Sequence, residues 1–463
     1  MQYEFLIQGI VEEYGKDFHV DNLALYDTDK ERLNIMGKWT ERFLRHRNYN
    51  TKIEIASNAK EAIADSDFLV TVDRPGELEA RRLDEKIAFK HGVVGAELTG
   101  PGGTIFAIRA IHQEMKYAKI AEEVAPDVWF INYTNPASFP AEALQRFSKI
   151  KNVGTCSVWP GRISSIAWDF GINYDRVADL FSRVKTVLVG SNQNLWVKDV
   201  YVDGKNVTKE WIRKLNQKDR ATAKGCRGAN PADEKIAIRN LIRMDTMWYT
   251  TESVFFSQYE LDEYNRTGKS RADFVIPYEN KHLEEAKNPE LADVSPSVWP
   301  RRGIKDLRAE LAKGRPGLKR PLRPVDLKDH YDIAASSTIN AIINDTGDTL
   351  VCQVQNRGAI KGIEDYMVVE ILCYVDRRGA HPLPVGEIPI SVRGIVLSGA
   401  YWQSLTVEAA IEASYDKALL ALLNCPYIQH TQKFKACKEI LDEYLKVHKD
   451  YLPKFKSESG LMP

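Results

Sequence analysis

The alternation of apolar and polar positions divides the chain into two textures. Five short apolar runs punctuate the first third: Leu23–Tyr26, Lys52–Ala56, Phe68–Val72, Trp129–Tyr133 and Val153–Cys156. Each has the length of a strand. Between several of them apolar residues recur at helical spacing, as in Glu31–Phe43 and Ile105–Val124. Strands alternating with helices predict βαβ units around a parallel sheet covered on both faces. Beyond about residue 180 the texture changes. Val184–Val189 and Leu195–Val202 read as strands around the polar turn "GSNQN", and Val351–Gln355 and Met367–Val375 as further strands. Val407–Leu423 and Phe434–Tyr451 read as amphipathic helices, and residues 265–325, rich in Lys, Arg, Glu and Pro, as surface excursions. The expected fold class is α/β: a Rossmann-like parallel sheet within residues 1–180, then an α+β domain over 181–463.

Ligands of such sheets bind beyond the carboxyl ends of the strands. The apolar runs end there in polar groups: Asp27, Asp73, the stretch Asn132-Tyr133-Thr134-Asn135-Pro136, and Cys156-Ser157. Asp27, Asp73, Asn132, Asn135 and Cys156 are therefore expected to line one cleft. Asn132 and Asn135 have a second reading, an Asx turn ahead of Pro136.

A dinucleotide-binding sheet opens with a strand and a glycine loop at a helix N-terminus, which holds the pyrophosphate. Asp27 in "LALYDTD" stands where an acidic residue takes the ribose hydroxyls. Counting back, the first strand and its glycine loop are expected to lie ahead of Met1, with "MQYEFLIQGIVEEYG" as the helix after the loop. The glycine cluster "GPGGTIFAIRAI" follows "HGVVGAELT" and reads as a tight turn at a helix N-terminus. Weak or absent NAD binding is the expectation for the chain as given.

Lys+Arg and Asp+Glu both number 64, so the formal charge is zero and no basic stripe favours nucleic acid. No apolar run approaches the roughly 20 residues of a membrane span. The six cysteines are scattered without a CxxC pair, as reduced thiols of a cytoplasmic protein would be.

The order of motifs carries a resemblance. "LALYDTDKERL", "DRPGELEARRLDEKIAFKHGVVGAELTGPGG", "INYTNPA", "VGTCS" and "VGSNQNLW" follow one another, then "NRGAIKGIEDYMVVEI" and "LTVEAAIEASYDKALLALLNCP". This series resembles the family-4 glycoside hydrolases, the NAD- and manganese-dependent glycosidases whose fold is shared with lactate and malate dehydrogenases. The resemblance implies an unusual mechanism, outside the two-carboxylate scheme. NAD takes hydride from the sugar C3, the Mn2+ polarises the ketone, a base removes the C2 proton, the glycosidic oxygen leaves, water adds, and NADH returns the hydride.

Matched to the family, Asp27, Asp73 and Asn132 would contact the cofactor. Arg74, Arg81, Asn132, Asn135 and Asn192 would contact the sugar. Cys156 and Gln193 would stand at the metal, and Tyr249 or Tyr259 would be the base. The implied substrate is a small-molecule sugar, expected to be an unphosphorylated α-glycoside or uronide. The implied assembly is a homo-oligomer, a dimer or tetramer. The departures sit at the site: Gln193 replaces the family's metal-binding histidine, and Ala96-Glu97-Leu98 replaces Gln-Glu-Thr. A non-hydrolytic sugar-binding or redox-type relative is the alternative.

Overall fold

Strands form where the apolar runs lie. In the computed structural model, which describes residues 2–98, 100–192, 194–223, 247–248, 257–289, 333–428 and 433–462, the chain opens with α1 (Gln2–Gln8), continued by a wider turn over Gly9–Glu13. There follow β1 (Asn22–Leu25), α2 (Lys30–His46), β2 (Lys52–Ile55), α3 (Ala59–Ile63), β3 (Phe68–Thr71) and α4 (Glu77–Lys90). Next come α5 (Pro101–Val124), β4 (Trp129–Asn132), α6 (Ser138–Phe147), β5 (Lys151–Gly154), α7 (Val158–Asp169) and α8 (Ala178–Arg183). The βαβ alternation expected from the sequence is present.

Local chemistry sets the helix starts. Asp29 caps α2, its carboxylate accepting from the backbone N–H of Glu31 and Arg32. Pro101 occupies the first turn of α5, where its missing N–H costs nothing. Helix α5 is buried from Pro101 to Ile111, so it is a core helix rather than a surface one.

The main sheet has six strands, in the order β13 (Gly379–Pro382), β12 (Val368–Asp376), β10 (Asp348–Gln355), β5, β4, β3. Strands β3, β4 and β5 are parallel, with Thr71, Asn132 and Gly154 in register at their carboxyl ends. Strand β10 joins β5 antiparallel at Gln353↔Gly154, and β12 and β13 extend it antiparallel. One sheet thus draws strands from both textures of the sequence. Strands β1 and β2 form a separate parallel pair.

A second sheet is built on the hairpin of β6 (Val184–Ser191) and β7 (Asn194–Val202), with a register shift between Val187 and Leu188. Short β8 (Lys205–Asn206) and β9 (Met247–Trp248) pair with β7. After α9 (Thr208–Ala223) come α10 (Ser257–Thr267), α11 (Ala272–Lys287) and α12 (Ile333–Asn344). Strands β11 (Ile360–Lys361) and β14 (Gly386–Glu387) form a small parallel pair. The chain closes with α13 (Ile390–Glu412), α14 (Tyr415–Asn424) and α15 (Lys433–Val447). The largest core cluster joins β5, β6, β7, β10 and β12 to α7 and α12. Trp159 and Trp196 are buried in it, and the Trp159 indole N–H is satisfied by Thr186 Oγ1 at 3.0 Å.

Two expectations are corrected. The helix expected over 407–423 is two helices. Ala413 takes a left-handed conformation (φ 53°) and Ser414 caps α14, its hydroxyl accepting from the Lys417 backbone N–H. The apolar spacing runs through this corner without marking it. The stretch from 265 is not all excursion. Helix α11 buries Ala272, His282 and Ala286 against the body, with His282 Nε2 3.0 Å from Glu4 Oε1 and the Ala272 N–H donating to Glu85 Oε2 at 2.8 Å.

Candidate active site

The carboxyl ends of β3, β4 and β5 form the floor. The Asp73 backbone N–H donates to Thr134 Oγ1 at 2.8 Å, tying the loop after β3 to the loop after β4. The Thr134 N–H donates to Asn132 Oδ1 (3.2 Å), and Asn132 Nδ2 donates to Ala137 O (2.9 Å). Asn132 is fully buried, with both ends of its amide turned into its own loop. The Asx turn expected ahead of Pro136 is present, and Asn132 braces the loop that carries Asn135. Asn135 precedes Pro136 and is the only residue from Phe130 to Leu144 that is not buried. Cys156 follows β5, buried and in no disulfide. Its strand end is fixed by the Thr155 N–H, which donates to Asn132 O at 2.9 Å.

The turn between β6 and β7 reaches the same loop. The Asn192 backbone N–H donates to Ser138 Oγ at 2.6 Å. Asn192 Nδ2 donates to Glu370 Oε2 (2.5 Å), and Gln353 Nε2 donates to the same oxygen (3.2 Å). Glu370 is buried in β12, and burial raises its carboxyl to about 7 against the opposing hydrogen bonds from Asn192 and Gln353. Asn135, Cys156 and Asn192 thus belong to segments tied to one another.

Beside them lies an arginine–carboxylate cluster. Arg74 pairs with Glu97 and lies 4.8 Å over the Phe106 ring. Arg81 is buried, held by Glu85 (2.8 Å) and by Glu97 Oε2 (2.8 Å). Burial pushes the Glu97 carboxyl up, but Arg74 and Arg81 outweigh it and hold it below the usual range. Arg81 is the inner member, tied up by two carboxylates. Arg74, with 30% of its side chain exposed, is the outer one. Beneath them Asp84 takes both Arg109 nitrogens (3.1 and 2.7 Å) and His448 Nε2 (2.5 Å), while Tyr444 donates to Asp84 O.

A second carboxylate group lies behind Asp73. Glu114 on α5 is completely buried beside the hydroxyls of Thr71 and Thr134. Burial raises its carboxyl well above the usual range, and the charge of Asp73 adds to this. Burial raises Asp73 to about 6, with Tyr117 opposing and the charge of Asp27 adding. Asp27 itself is gripped by Arg32, Nε to Oδ2 at 2.8 Å and Nη2 to Oδ1 at 2.9 Å. The sequence held a signal for Glu114. It stands at helical spacing from Ile111 and Ala118, on a face that is otherwise apolar. Glu370 and Gln353 gave none, because their role depends on strands far apart in the chain.

The resemblance implies a dinucleotide and a metal, and the residues can be tested for fit. The glycine turn at α5 is closed by its own loop. The Gly100 and Gly103 N–H groups donate to Ala96 O, and a Cβ at Gly100 would meet Val94 O at 2.9 Å. A pyrophosphate cradle needs open amides at such a terminus, and this one is filled by backbone. Among the described residues no group of three His, Cys, Asp or Glu side chains could hold a metal. The described residues therefore do not by themselves fit either group. Gln193 and Tyr249 lie outside the described residues, and Tyr259 is described only through the backbone of α10. Among the described residues no helix is long and apolar enough to cross a membrane.

Comparison with known proteins places these motifs. Residues 5–170 match the model of the family 4 glycosyl hydrolases, and residues 188–428 match the model of that family's C-terminal domain. A probable 6-phospho-beta-glucosidase of Bacillus subtilis is 32% identical over 454 residues, 97% of this chain and 94% of that one. The structure of the 6-phospho-beta-glucosidase of Thermotoga maritima with NAD and glucose-6-phosphate superimposes with a TM-score of 0.77 at 24% identity, covering 98% of this chain and 97% of that one. A 6-phospho-alpha-glucosidase from gut microorganisms, in complex with NAD and Mn2+, gives a TM-score of 0.75 at 23% identity, covering 98% of each chain.

Proposed function

The chain belongs to the family 4 glycosyl hydrolases, a family of enzymes, and on that premise we propose that it is a glycosidase acting on a 6-phosphoglucoside. The single observation that carries this reading is the relative at 32% identity over nearly the whole of both chains, whose name specifies a 6-phosphoglucoside. A phosphorylated sugar thereby replaces the unphosphorylated one expected from the sequence. The arginine cluster supports the change. Arg74 is partly exposed, and a guanidinium fork matches phosphate in two parallel hydrogen bonds. Arg81 supports it from within by holding Glu97, so Arg74 keeps its place when the phosphate arrives. Asn135 and Asn192 would receive the sugar hydroxyls. Asn132 and Ser138 would hold the loops carrying them.

The described residues fit neither the dinucleotide nor the metal, so no step of bond breaking is derived through either. Those same observations favour a second reading, a relative that binds the phosphorylated sugar without cleaving it. The closed turn at Gly100 and the Arg32 grip on Asp27 are its basis. Release of p-nitrophenol from the 6-phosphorylated α- and β-glucosides, with NAD and Mn2+ supplied, tests the first reading. Slow release that grows with added NAD supports it. Binding of the phosphorylated sugar without release supports the second, and release only from unphosphorylated glucosides contradicts both.

A further inference from the structure

Asn192 is buried at the tip of the β6–β7 hairpin. Its nitrogen donates to Glu370 Oε2, an oxygen that also receives Gln353 Nε2. Two amide N–H groups converging on one carboxyl oxygen require an acceptor there. In its ionised form, which prevails above about pH 7, Glu370 lets Asn192 turn only its nitrogen inward. Asn192 Oδ1 is left buried, and it accepts no hydrogen bond among the described residues. A buried acceptor without a donor is unfavourable unless something arrives to satisfy it.

We propose that Glu370 is a positioning residue, fixing the Asn192 amide so that it offers an acceptor to a hydroxyl group of the sugar. This rests on the reading of Asn192 as a sugar contact. Gln353 is the brace of the arrangement. A Cβ on Gly154 would lie 2.5 Å from Gln353 Oε1 and 2.8 Å from Gln353 Cβ, so the missing side chain at Gly154 makes room for it. Gly154 ends β5, two residues ahead of Cys156. The same brace therefore ties the Asn192 turn to the strand end that carries Cys156. Ser138 fixes the turn from the opposite segment. Nothing in the local sequence around Glu370 announces this role. It arises because β12 and β10 run side by side with Glu370 opposite Gln353.

The test is calorimetric titration of the full chain with glucose 6-phosphate. Wild type is compared with Asn192→Ala, Glu370→Gln, Glu370→Asp and the double variant Asn192→Ala/Glu370→Gln, with a melting temperature recorded for each. Glutamine at 370 keeps the shape but can donate as well as accept, so Asn192 is free to flip. Roughly tenfold weaker binding is expected for Asn192→Ala, about the worth of one hydrogen bond. A several-fold loss is expected for Glu370→Gln, partly recovered in Glu370→Asp, which keeps a carboxylate. The double variant should bind no more weakly than Asn192→Ala alone, because Glu370 acts through Asn192. Losses that multiply in the double variant, or a Glu370→Gln protein that binds as wild type, overturn the proposal. An Asn192→Ala protein that binds as wild type overturns instead the sugar-contact reading on which it rests.

Discussion

Arg32 holds Asp27 in a two-pronged grip, with Nε 2.8 Å from Oδ2 and Nη2 2.9 Å from Oδ1. Asp27 Oδ1 also accepts the Asp29 backbone N–H at 2.9 Å. The carboxylate that would take ribose hydroxyls therefore already has partners. With the glycine turn of α5 closed by Ala96, NAD is expected to bind weakly, with Kd above about 1 mM, or less than roughly 4 kcal/mol of binding free energy. Calorimetric titration of the chain with NAD measures this. A micromolar Kd would show that other residues supply the cradle.

Glu114 and Asp73 make stability depend on pH. Both carboxyls are raised by burial in the folded state, Asp73 to about 6 and Glu114 further above its ordinary value of 4.5. A raised folded pKa contributes stability that is fully present below the unfolded value and lost as pH rises through the folded one. Glu114→Gln removes the titration while keeping an amide beside Thr71 and Thr134. The variant should match wild type near pH 4 and exceed it at pH 8 by roughly 1–3 kcal/mol. Urea unfolding at the two pH values checks the sign. A variant less stable than wild type at pH 8 contradicts the assignment.

Asp84 of α4 is buried and joined to Arg109 of α5, to Tyr444 of α15 and to His448 just beyond it. Burial alone would raise its carboxyl, but Arg109 and His448 outweigh it and hold it below the usual range. Arg109→Ala would leave that carboxylate paired with His448 alone. A loss of about 3–5 kcal/mol is expected, as for one partner removed from a buried pair. Arg82 pairs with Glu79 at the surface, so Arg82→Ala should cost less than about 1 kcal/mol. Chemical unfolding of the two variants side by side tests the contrast.

The apolar runs placed strands β1 to β5 within two residues at either end, although β2 buries none of its residues and β1 only Leu25. Asp27, Asp73, Asn135 and Cys156 were legible as polar residues closing those runs. What the pattern could not show was how each polar side chain is used. Asn132 looked like Asn135, yet its amide is consumed by Thr134 and Ala137. Arg81 and Arg74 share one motif, but only Arg74 keeps an exposed edge. Glu370 stands opposite Gln353 only once β12 pairs with β10, a contact no local window contains. The corner at Ala413 was hidden for a related reason: helical spacing continues through it, and only the backbone there departs.

The proposal that this chain recognises a phosphorylated glucoside is tested most directly by calorimetry of glucose 6-phosphate against glucose, in wild type and Arg74→Ala. Arg74 also pairs with the buried Glu97, so its removal is expected to lower the melting temperature, and the titrations are run well below that of the variant. Wild type is expected to bind glucose 6-phosphate at least tenfold more tightly than glucose, a difference of about 1.4 kcal/mol, and Arg74→Ala to lose most of that preference. Equal affinity of wild type for the two sugars would contradict the account.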